Sequence, residues 1–492
     1  MISTTGLGRA TAERAARVTL ICLAILLTPV LAFVAGPDSI VLPVVIGLLA
    51  AVVALMRYDL ALIPLFGLAG LFVRGLQVPL PYTTTGTQAL AMMVVSGWAA
   101  RRLVFGNGAR RDSIGTWTAL DRLVAAYVVA LVVGAVVGYM RDPAARAWFG
   151  EFKEILLFIL LFFPARDLFS RDASRRLFRL VLVPLIVAVS GAALYGLRAS
   201  SVESAVPLEI NLQFEHAVDY AGMGRIAGLT PDNYFQVMPV LLVALLASTR
   251  SRPLRLLFLA VGVLYLLALA VDLTRTRWIG AVLSLAWLWI VSPEGTRRRR
   301  WQAVAATLAM VAIGWMAIWA GTERAGTNLP SAVRAHGDIE SPTEILRLGS
   351  LDTRLYEAAA LFEAFTREPL LGGGLGLEID VYTPYLHEVV RRTNWHNDYM
   401  MLLGKLGLLG LLSYLAILVA FFRAGFFVLR VSKDAEDRTY CWAFMAVFFG
   451  YLVTANSISS FTQVDIAPFN AIMLAYVAAA AARARREQGA GG

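Results

Sequence analysis

The sequence predicts an all-α polytopic membrane protein with about 14 transmembrane helices and a helical cap loop on the outer face. Hydrophobic residues make up 58% of the 492-residue chain and charged residues 16%. Soluble domains are typically about 45–50% apolar and about 25% charged. The apolar residues also fall in many runs of about 20, which is the length that crosses the hydrocarbon core of a bilayer. Composition and run length therefore place most of the chain in lipid.

The predicted spans follow one another along most of the chain. They cover 16–35, 39–56, 59–74, 87–105, 118–140, 151–168, 177–197, 232–249, 255–273, 278–292, 301–320, 398–428, 439–457 and 465–482. The first follows three arginines but precedes no small-residue cleavage site, so we interpret it as a retained helix rather than a signal peptide. The twelfth is too long for one straight span, and we expect it to begin with an interfacial turn before Gly407.

The distribution of basic residues predicts how the spans are oriented. The net charge of +10 would suggest nucleic-acid binding in a soluble protein, but short cytoplasmic loops of membrane proteins also collect Lys and Arg. With the N-terminus in the cytoplasm, the strong basic clusters all fall on one face. These clusters lie near 57, 101–111, 166–179, 250–255, 297–300, 430–438 and 483–486. We therefore expect both termini in the cytoplasm and no nucleic-acid partner.

This topology divides the chain into four parts. They are a bundle of about 11 spans over 1–320, a long outer loop with short helices over 321–397, C-terminal spans over 398–482 and a cytoplasmic tail over 483–492. Within the loop, residues 353–366 carry an apolar stripe at helical spacing, and Pro369 ends that helix. We expect the loop to form a folded cap over the membrane core rather than a separate soluble domain.

Several signals of other chemistries are missing from the sequence. The two cysteines, Cys22 and Cys441, lie in apolar runs and have neither disulfide-framework nor zinc spacing. The chain has no Walker loop, and no carboxylate cluster has the spacing of a metal site. The run from Gly372 to Gly376 follows no predicted strand, so it indicates a tight turn rather than a dinucleotide site. We expect no cofactor.

Several arginines on the outer face are not explained by topology: Arg141, Arg146, Arg225, Arg275, Arg277, Arg354, Arg391 and Arg392. Arg225 precedes the eighth span, and Arg275 and Arg277 stand between the ninth and tenth. A guanidinium at membrane depth usually faces a polar cavity, and its paired donors suit phosphate or diphosphate oxygens. The sequence thus predicts an anion clamp. The alternative is that each arginine pairs with Asp232, Asp272 or lipid headgroups.

A polar segment meets an apolar helix at 391–410, which reads RRTNWHNDYMMLLGKLGLLG. His396 stands at the helix start, where Asn394 can cap. A neutral imidazole can accept a hydroxyl proton near neutral pH. His396 is therefore a candidate general base, and the alternative is a structural hydrogen-bonding role. Arg391 and Arg392 precede it on the same face.

Taken in order, these motifs resemble the O-antigen ligase and O-antigen polymerase superfamily. The resemblance covers about 224–415. Its features are Arg225 followed by Pro231-Asp232-Asn233, Thr276-Arg277 at a span start, Thr353-Arg354 leading to Glu368-Pro369-Leu370-Leu371-Gly372-Gly373-Gly374, and His396-Asn397 followed by Gly404, Gly407 and Gly410. Lys405 departs from the family, whose members often have an acidic residue there.

The resemblance implies a metal-independent glycosyltransferase in the bacterial inner membrane, with a multi-pass fold and an active site facing the periplasm. The implied donor is a glycan on undecaprenyl diphosphate. His396 would be the base for the acceptor hydroxyl, Arg225 and Arg277 would bind the diphosphate, and Arg354 matches an arginine of the family's loop. Arg391 and Arg392 are left open between glycan, diphosphate and headgroups.

The count of spans favours one activity within this superfamily. About 14 spans are typical of a repeat-unit polymerase for O-antigen or exopolysaccharide, which extends a glycan on its lipid carrier and implies a chain-length regulator protein as a partner. A ligase that joins the glycan to the lipid A core is the alternative, as is a protein O-oligosaccharyltransferase. A lipid-linked glycan exporter is the non-enzymatic alternative, but its charges would spread along both halves of a pathway.

Overall fold

The computed structural model describes the C-terminal half of the chain most fully. The described residues are 77–78, 84–85, 91–99, 117–142, 147–170, 219–220, 223–224, 234–249, 251–272, 275–291, 301, 305, 349–383, 388–393, 395–456 and 467–489. The predicted spans at 16–35, 39–56, 59–74 and 177–197 lie outside this part of the chain, as does the span at 301–320 apart from residues 301 and 305.

Helices form most of the described structure, which confirms the predicted helical class. In chain order they are α1 (Ala119–Arg141), α2 (Ala147–Leu160), α3 (Phe162–Phe169), α4 (Tyr234–Ser248), α5 (Arg252–Asp272), α6 (Arg275–Ile290), α7 (Gly349–Arg367), α8 (Asp398–Val431), α9 (Ala435–Thr454) and α10 (Ala467–Gly489). The predicted tail over 483–492 is helical as far as Gly489.

Three of the described helices are long and apolar enough to cross a membrane: α1, α8 and α10. Val237–Ser248 within α4 and Ile279–Ile290 within α6 are shorter apolar helices. These helices and their composition agree with the prediction of a multi-pass membrane protein. The number of spans beyond them stays a prediction.

The core of the bundle is built around α8 and α10. Helix α8 packs against α1, α9 and α10, and α10 also packs against α3. Most of the apolar part of α10 is buried inside the protein, including the run Ala478–Ala481. Small side chains let neighbouring helix backbones approach closely, which is how helices associate in lipid. The alanine run therefore suits a helix at the centre of the bundle.

Helix α8 is broken near its start. Gly407 has φ +61° and ψ −158°, which no residue inside a helix adopts. Gly373 N–H donates to Gly404 O at 2.8 Å, and Leu408 N–H donates to Pro369 O at 2.9 Å. The carbonyls and amides released by the break are thus paired with the loop that follows α7. The sequence predicted a turn before Gly407, whereas the structure is helical from Asp398 and breaks at Gly407 itself. We call the segment that contacts this break, residues 368–378, the glycine-rich loop.

The same loop also contacts α1 and α2. Gly374 has φ +85°, and a Cβ there would lie 2.4 Å from the backbone nitrogen of Gly138 in α1. Gly376 has φ +76°, and its Cβ would lie 2.3 Å from the backbone nitrogen of Trp148 in α2. Both positions require glycine because a side chain is excluded by conformation and by space. The predicted tight turn is present, and it joins the loop to three helices of the bundle, α1, α2 and α8.

The segment before α8 contains a β-hairpin that the sequence analysis did not predict. Strands β5 (Ile379–Thr383) and β6 (Glu388–Arg392) pair in antiparallel register, with Ile379 opposite Arg392 and Asp380 opposite Arg391. Two further two-residue pairings join β1 (Gln77–Val78) with β2 (Thr84–Thr85), and β3 (Asp219–Tyr220) with β4 (Met223–Gly224). The predicted helix at 353–366 is confirmed as α7. We call residues 349–397 the cap; α7 packs on both α8 and β5.

Candidate functional site

The candidate site lies where the cap meets the first residue of α8. Asn397 is the N-cap of α8, and its side-chain oxygen accepts from Met400 N–H at 3.0 Å. The sequence analysis assigned this capping to Asn394, which is wrong; Asn394 lies outside the described residues. The preceding residue, His396, has a side chain that is 49% exposed. A ring that is held at a helix start yet half open to its surroundings can meet a substrate.

His396 is held by Glu357, a residue of α7. The imidazole Nδ1 lies 3.0 Å from Glu357 Oε2 and 3.1 Å from Oε1, and the His396 backbone N–H donates to Oε2 at 3.3 Å. An ionised carboxylate only accepts hydrogen bonds, so in a neutral ring the hydrogen is assigned to Nδ1. The lone pair is then on Nε2. This arrangement presents a basic nitrogen and fixes its tautomer.

Glu357 is buried and is also bound by Arg392 of β6. Its side chain is 1% exposed, and Arg392 Nη1 donates to Oε1 at 2.8 Å. Burial raises the pKa of Glu357, but the hydrogen bonds from His396 and the charges of His396 and Arg392 outweigh that effect and lower it. Glu357 is therefore a carboxylate at neutral pH and accepts from both sides.

Arg354 lies one helical turn before Glu357 on α7. Burial lowers the pKa of its guanidinium, and the negative charge of Glu357 opposes that shift. Arg354 and Arg392 thus both approach the carboxylate that binds His396. The structure brings together three of the predicted residues, His396, Arg392 and Arg354, around a fourth that was not predicted.

A small apolar core fixes the position of this cluster within the cap. Leu361 of α7, Val381 of β5, Trp395 and Met401 of α8 are buried together, each at most 5% exposed. Trp395 is the neighbour of His396, and Leu361 lies one turn after Glu357. The two ends of the His396–Glu357 contact are therefore anchored by the same packing.

Arg391 belongs to a different surface from Arg392. Successive residues of a strand point to opposite faces, and the Arg391 side chain is 68% exposed. Its Nε donates to Asp380 Oδ1 at 3.1 Å on the paired strand, and this contact raises the pKa of Arg391. Among the described residues, Arg392 therefore joins the His396 cluster and Arg391 does not.

Lys405 forms a second polar cluster on the membrane side of the cap. Its side chain is 1% exposed, and Nζ lies 2.7 Å from Glu151 Oε1 of α2 and 2.6 Å from the Thr393 carbonyl oxygen. The other carboxylate oxygen of Glu151 accepts from Gly376 N–H at 2.7 Å. The basic residue that departs from the family pattern thus has a carboxylate partner on a neighbouring helix.

The predicted diphosphate ligands are less fully described. Arg225 lies outside the described residues. Arg275 and Arg277 belong to the first turn of α6, and their side chains lie outside the described part. The structure therefore does not place these three guanidinium groups relative to His396.

The sequence analysis did not predict two acidic residues of the site. Glu357 binds His396, and Glu151 binds Lys405. Glu357 is one of several glutamates on an amphipathic helix, and its only signal is its place one turn after Arg354. Glu151 stands with Lys153 and Glu154 at the start of a predicted span, where charged side chains commonly snorkel or pair, and the sequence assigns it no particular partner. Neither sequence signal indicates burial.

The fold and the site define a class of protein. It is a multi-pass membrane protein in which a histidine, a buried carboxylate and arginines lie together at one end of the described helices. Residues 237–415 match the family model described as O-antigen ligase. The match includes Glu357, Arg392, His396 and Lys405 and confirms the resemblance to the ligase and polymerase superfamily. A comparison with curated proteins gives no match.

The family match supports a glycan-transfer function of the O-antigen ligase and polymerase type, in a membrane and with lipid-linked glycan substrates. Together with the apolar helices it supports a role in polysaccharide or lipopolysaccharide biosynthesis. The matched segment begins after Arg225 and ends within α8, so Arg225 and Glu151 lie outside it.

Proposed function

We propose that the protein transfers a glycan from undecaprenyl diphosphate to an acceptor hydroxyl on the periplasmic side of the bacterial inner membrane. His396 acts as the general base. The observation that carries the proposal is the contact of His396 Nδ1 with buried Glu357 at 3.0 Å, which leaves a half-exposed ring with its basic nitrogen on the other side.

In the proposed step, Nε2 of His396 takes the proton of the acceptor hydroxyl. The hydroxyl oxygen attacks the anomeric carbon of the donor at the same time. The bond between that carbon and the diphosphate oxygen breaks, and the lipid diphosphate leaves with the electron pair. The imidazolium that forms carries a positive charge beside the Glu357 carboxylate, which stabilises it. The proton can then pass to water or to the leaving diphosphate.

The leaving group gains negative charge as the bond breaks, and guanidinium groups stabilise such charge without being deprotonated. We assign this role to Arg225, Arg275 and Arg277, on the sequence order that they share with the family. Arg354 and Arg392 line the cap side of the same site. The proposal needs no metal ion, because the arginines neutralise the diphosphate.

Asn397 and Arg391 have more limited roles. The Asn397 side chain caps α8, so its contribution is to hold the segment that carries His396. Arg391 is exposed on the hairpin and is available to the glycan rather than to the diphosphate.

Polymerisation of repeat units is the reaction that the predicted count of about 14 spans favours. Its acceptor would be a second lipid-linked glycan. The description of the matched family as O-antigen ligase favours the second candidate, transfer to the lipid A core. An exporter would not need a buried carboxylate that fixes one tautomer of a histidine, so the site favours an enzyme over that alternative.

Reconstitution with lipid-linked oligosaccharide tests the proposal. Purified protein is given the donor together with lipid A core and a second lipid-linked glycan in competition, and each product is measured. We expect His396→Ala to lower transfer by about 10²- to 10⁴-fold, the range of general-base contributions. Arg367→Ala is the control, because Arg367 is exposed on α7 and pairs only locally with Glu363.

Wild-type transfer by His396→Ala would remove the assignment of the base. Product on the lipid A core alone would show a ligase rather than a polymerase. Absence of transfer to either acceptor would favour the exporter over both enzymes.

A further inference from the structure

We infer that Lys405 and Glu151 are positioning residues that set where the His396 segment lies relative to the membrane helices. The inference rests on the proposed function, since it concerns the base of that reaction. Lys405 has no contact with the His396 ring in its described bonds; it acts through the backbone three residues earlier, where its ammonium donates to Thr393 O at 2.6 Å.

The pair joins four backbone segments at one point. Lys405 lies on α8 just before the break at Gly407, Thr393 follows β6, and Gly376 belongs to the glycine-rich loop. Glu151 brings them together, because one of its oxygens accepts from Lys405 Nζ at 2.7 Å and the other from Gly376 N–H at 2.7 Å. The ion pair therefore connects α2, α8, the loop and the segment that carries the base.

Two sets of contacts fix the position of the His396 segment, one to the cap and one to the helical bundle. Glu357 belongs to the cap and fixes the ring within it, whereas Lys405 and Glu151 belong to α8 and α2 of the helical bundle. A donor held in lipid is positioned by the helical bundle. Its distance from the base therefore depends on the contacts of Lys405 and Glu151. Loss of the Lys405 bond to Thr393 would leave the tautomer unchanged but would loosen the base relative to the donor.

Stability alone does not explain this pair. Apolar side chains of similar volume are often as stable in the interior as a buried ion pair, since both charges must lose their water. Lys405 is 1% exposed, a depth at which a lysine is costly unless its ammonium is fully hydrogen-bonded. Its second bond, to a main-chain carbonyl beside the base, is a contact that an apolar residue could not make.

The test compares two double variants of the full-length protein with wild type in the reconstituted transfer assay. Glu151→Gln with Lys405→Met removes both charges at similar volume and leaves no unpaired charge. Glu151→Lys with Lys405→Glu keeps the pair but reverses it, so residue 405 can no longer donate to Thr393 O. We expect both to lower kcat by about 10²-fold, the effect of a displacement of about 1 Å, with the donor KM unchanged.

The neutral pair Glu363→Gln with Arg367→Met is the matched control, because that ion pair lies on α7 with side chains 65% and 73% exposed. It should keep wild-type kcat. Recovery of wild-type kcat by the reversed pair would overturn the inference in favour of simple charge balance, and so would a wild-type kcat in the neutral Glu151 and Lys405 variant.

Hydrogen exchange separates this inference from the proposed function. We expect the amides of 388–397 to exchange faster in the neutral Glu151 and Lys405 variant than in wild type, while α9 keeps its protection. Unchanged exchange overturns the inference whatever the activity. An inactive wild type contradicts the proposed function, yet faster exchange would still show that Lys405 holds the segment.

Discussion

At the scale of single residues, the chemistry of the site depends on which nitrogen of His396 carries a hydrogen. Glu357 decides this, because its ionised oxygens accept from Nδ1 at 3.0 and 3.1 Å. The carboxylate is itself fixed by Arg392 at 2.8 Å. Two successive contacts thus position the base: Arg392 of the hairpin binds Glu357 of α7, and Glu357 binds His396 before α8.

We expect Glu357→Gln to lower kcat for glycan transfer by about 10²-fold, since a neutral amide neither fixes the tautomer nor stabilises the imidazolium. The measurement is steady-state transfer in the reconstituted assay. Glu363→Gln on the exposed face of α7 is the control and should match wild type. Equal kcat for Glu357→Gln and wild type would contradict the role of the carboxylate.

The lowered pKa of Glu357 also gives this variant a pH signature. A carboxyl whose folded pKa is lowered stabilises the fold above its unfolded pKa, about 4.3, and the stabilisation is lost as pH falls through the folded pKa. The difference in unfolding midpoint between wild type and Glu357→Gln should therefore not shrink between pH 7 and pH 5.

The residue scale also shows what a single sequence can and cannot predict. His396 was identified because histidine at a polar–apolar boundary is chemically distinctive. Glu357 was not, since burial of one glutamate among several on an amphipathic helix depends on tertiary packing with Trp395 and Leu361. The two neighbouring arginines were separable only once β6 was known, because strand alternation sends Arg391 and Arg392 to opposite faces.

At the scale of elements, the glycine-rich loop determines how the cap sits on the bundle. Its backbone approaches α1, α2 and the break in α8, and the tight contacts at Gly374 and Gly376 leave no room for a Cβ. The loop also supplies the Gly376 N–H that Glu151 accepts. A change of one glycine should therefore affect the site, although no loop glycine contacts His396 in the described bonds.

We expect Gly374→Ala to destabilise the protein by about 1–3 kcal/mol, because φ +85° is strained for alanine and the added Cβ would lie 2.4 Å from Gly138 N. Thermal unfolding in detergent measures this, and transfer activity should fall with it. Gly150→Ala on α2 is the matched control: no atom lies within 4 Å of its added Cβ, and alanine favours a helix. A Gly374→Ala midpoint equal to that of Gly150→Ala would contradict the steric argument.

Element prediction succeeded where a local pattern was strong. Helix α7 followed from its apolar stripe, and the break in α8 from the length of the apolar run and its glycines. The hairpin was missed because each of its strands has only five residues, and pairing between them is a non-local property that short alternation does not specify.

At the scale of the whole molecule, the bundle formed by the described helices has two ends with different polar contacts. The cap end holds the last turn of α1, the first turn of α2 and the start of α8, with Arg141 of α1 bound to Glu368 of the cap. At the other end, Arg483 of α10 pairs with Asp437 of α9 at 2.8 Å and also donates to the carbonyl of Phe169, the last residue of α3. Three of the basic clusters that the sequence analysis placed in the cytoplasm thus converge on the end opposite the cap.

This convergence predicts that the cap faces the periplasm. Lysine and arginine near span ends are retained on the cytoplasmic side, and α8 runs from the cap to the basic end, where Arg430 lies in its last turn. We expect a single cysteine at Arg367 of the cap to react with a membrane-impermeant maleimide in intact cells. A cysteine at Gln488, exposed near the end of α10, should react only after lysis.

The labelling is measured in a background with Cys22 and Cys441 replaced by alanine. Cys441 is fully buried in α9, so its replacement is checked by the thermal midpoint of the background protein. A cysteine introduced at Arg438, near the basic end of α9, tests that end a second time and should behave like Gln488→Cys. Reaction of both basic-end cysteines in intact cells, with protection of Arg367→Cys, would invert the orientation. The base would then face the cytoplasm, and a donor whose glycan lies in the periplasm could not reach it.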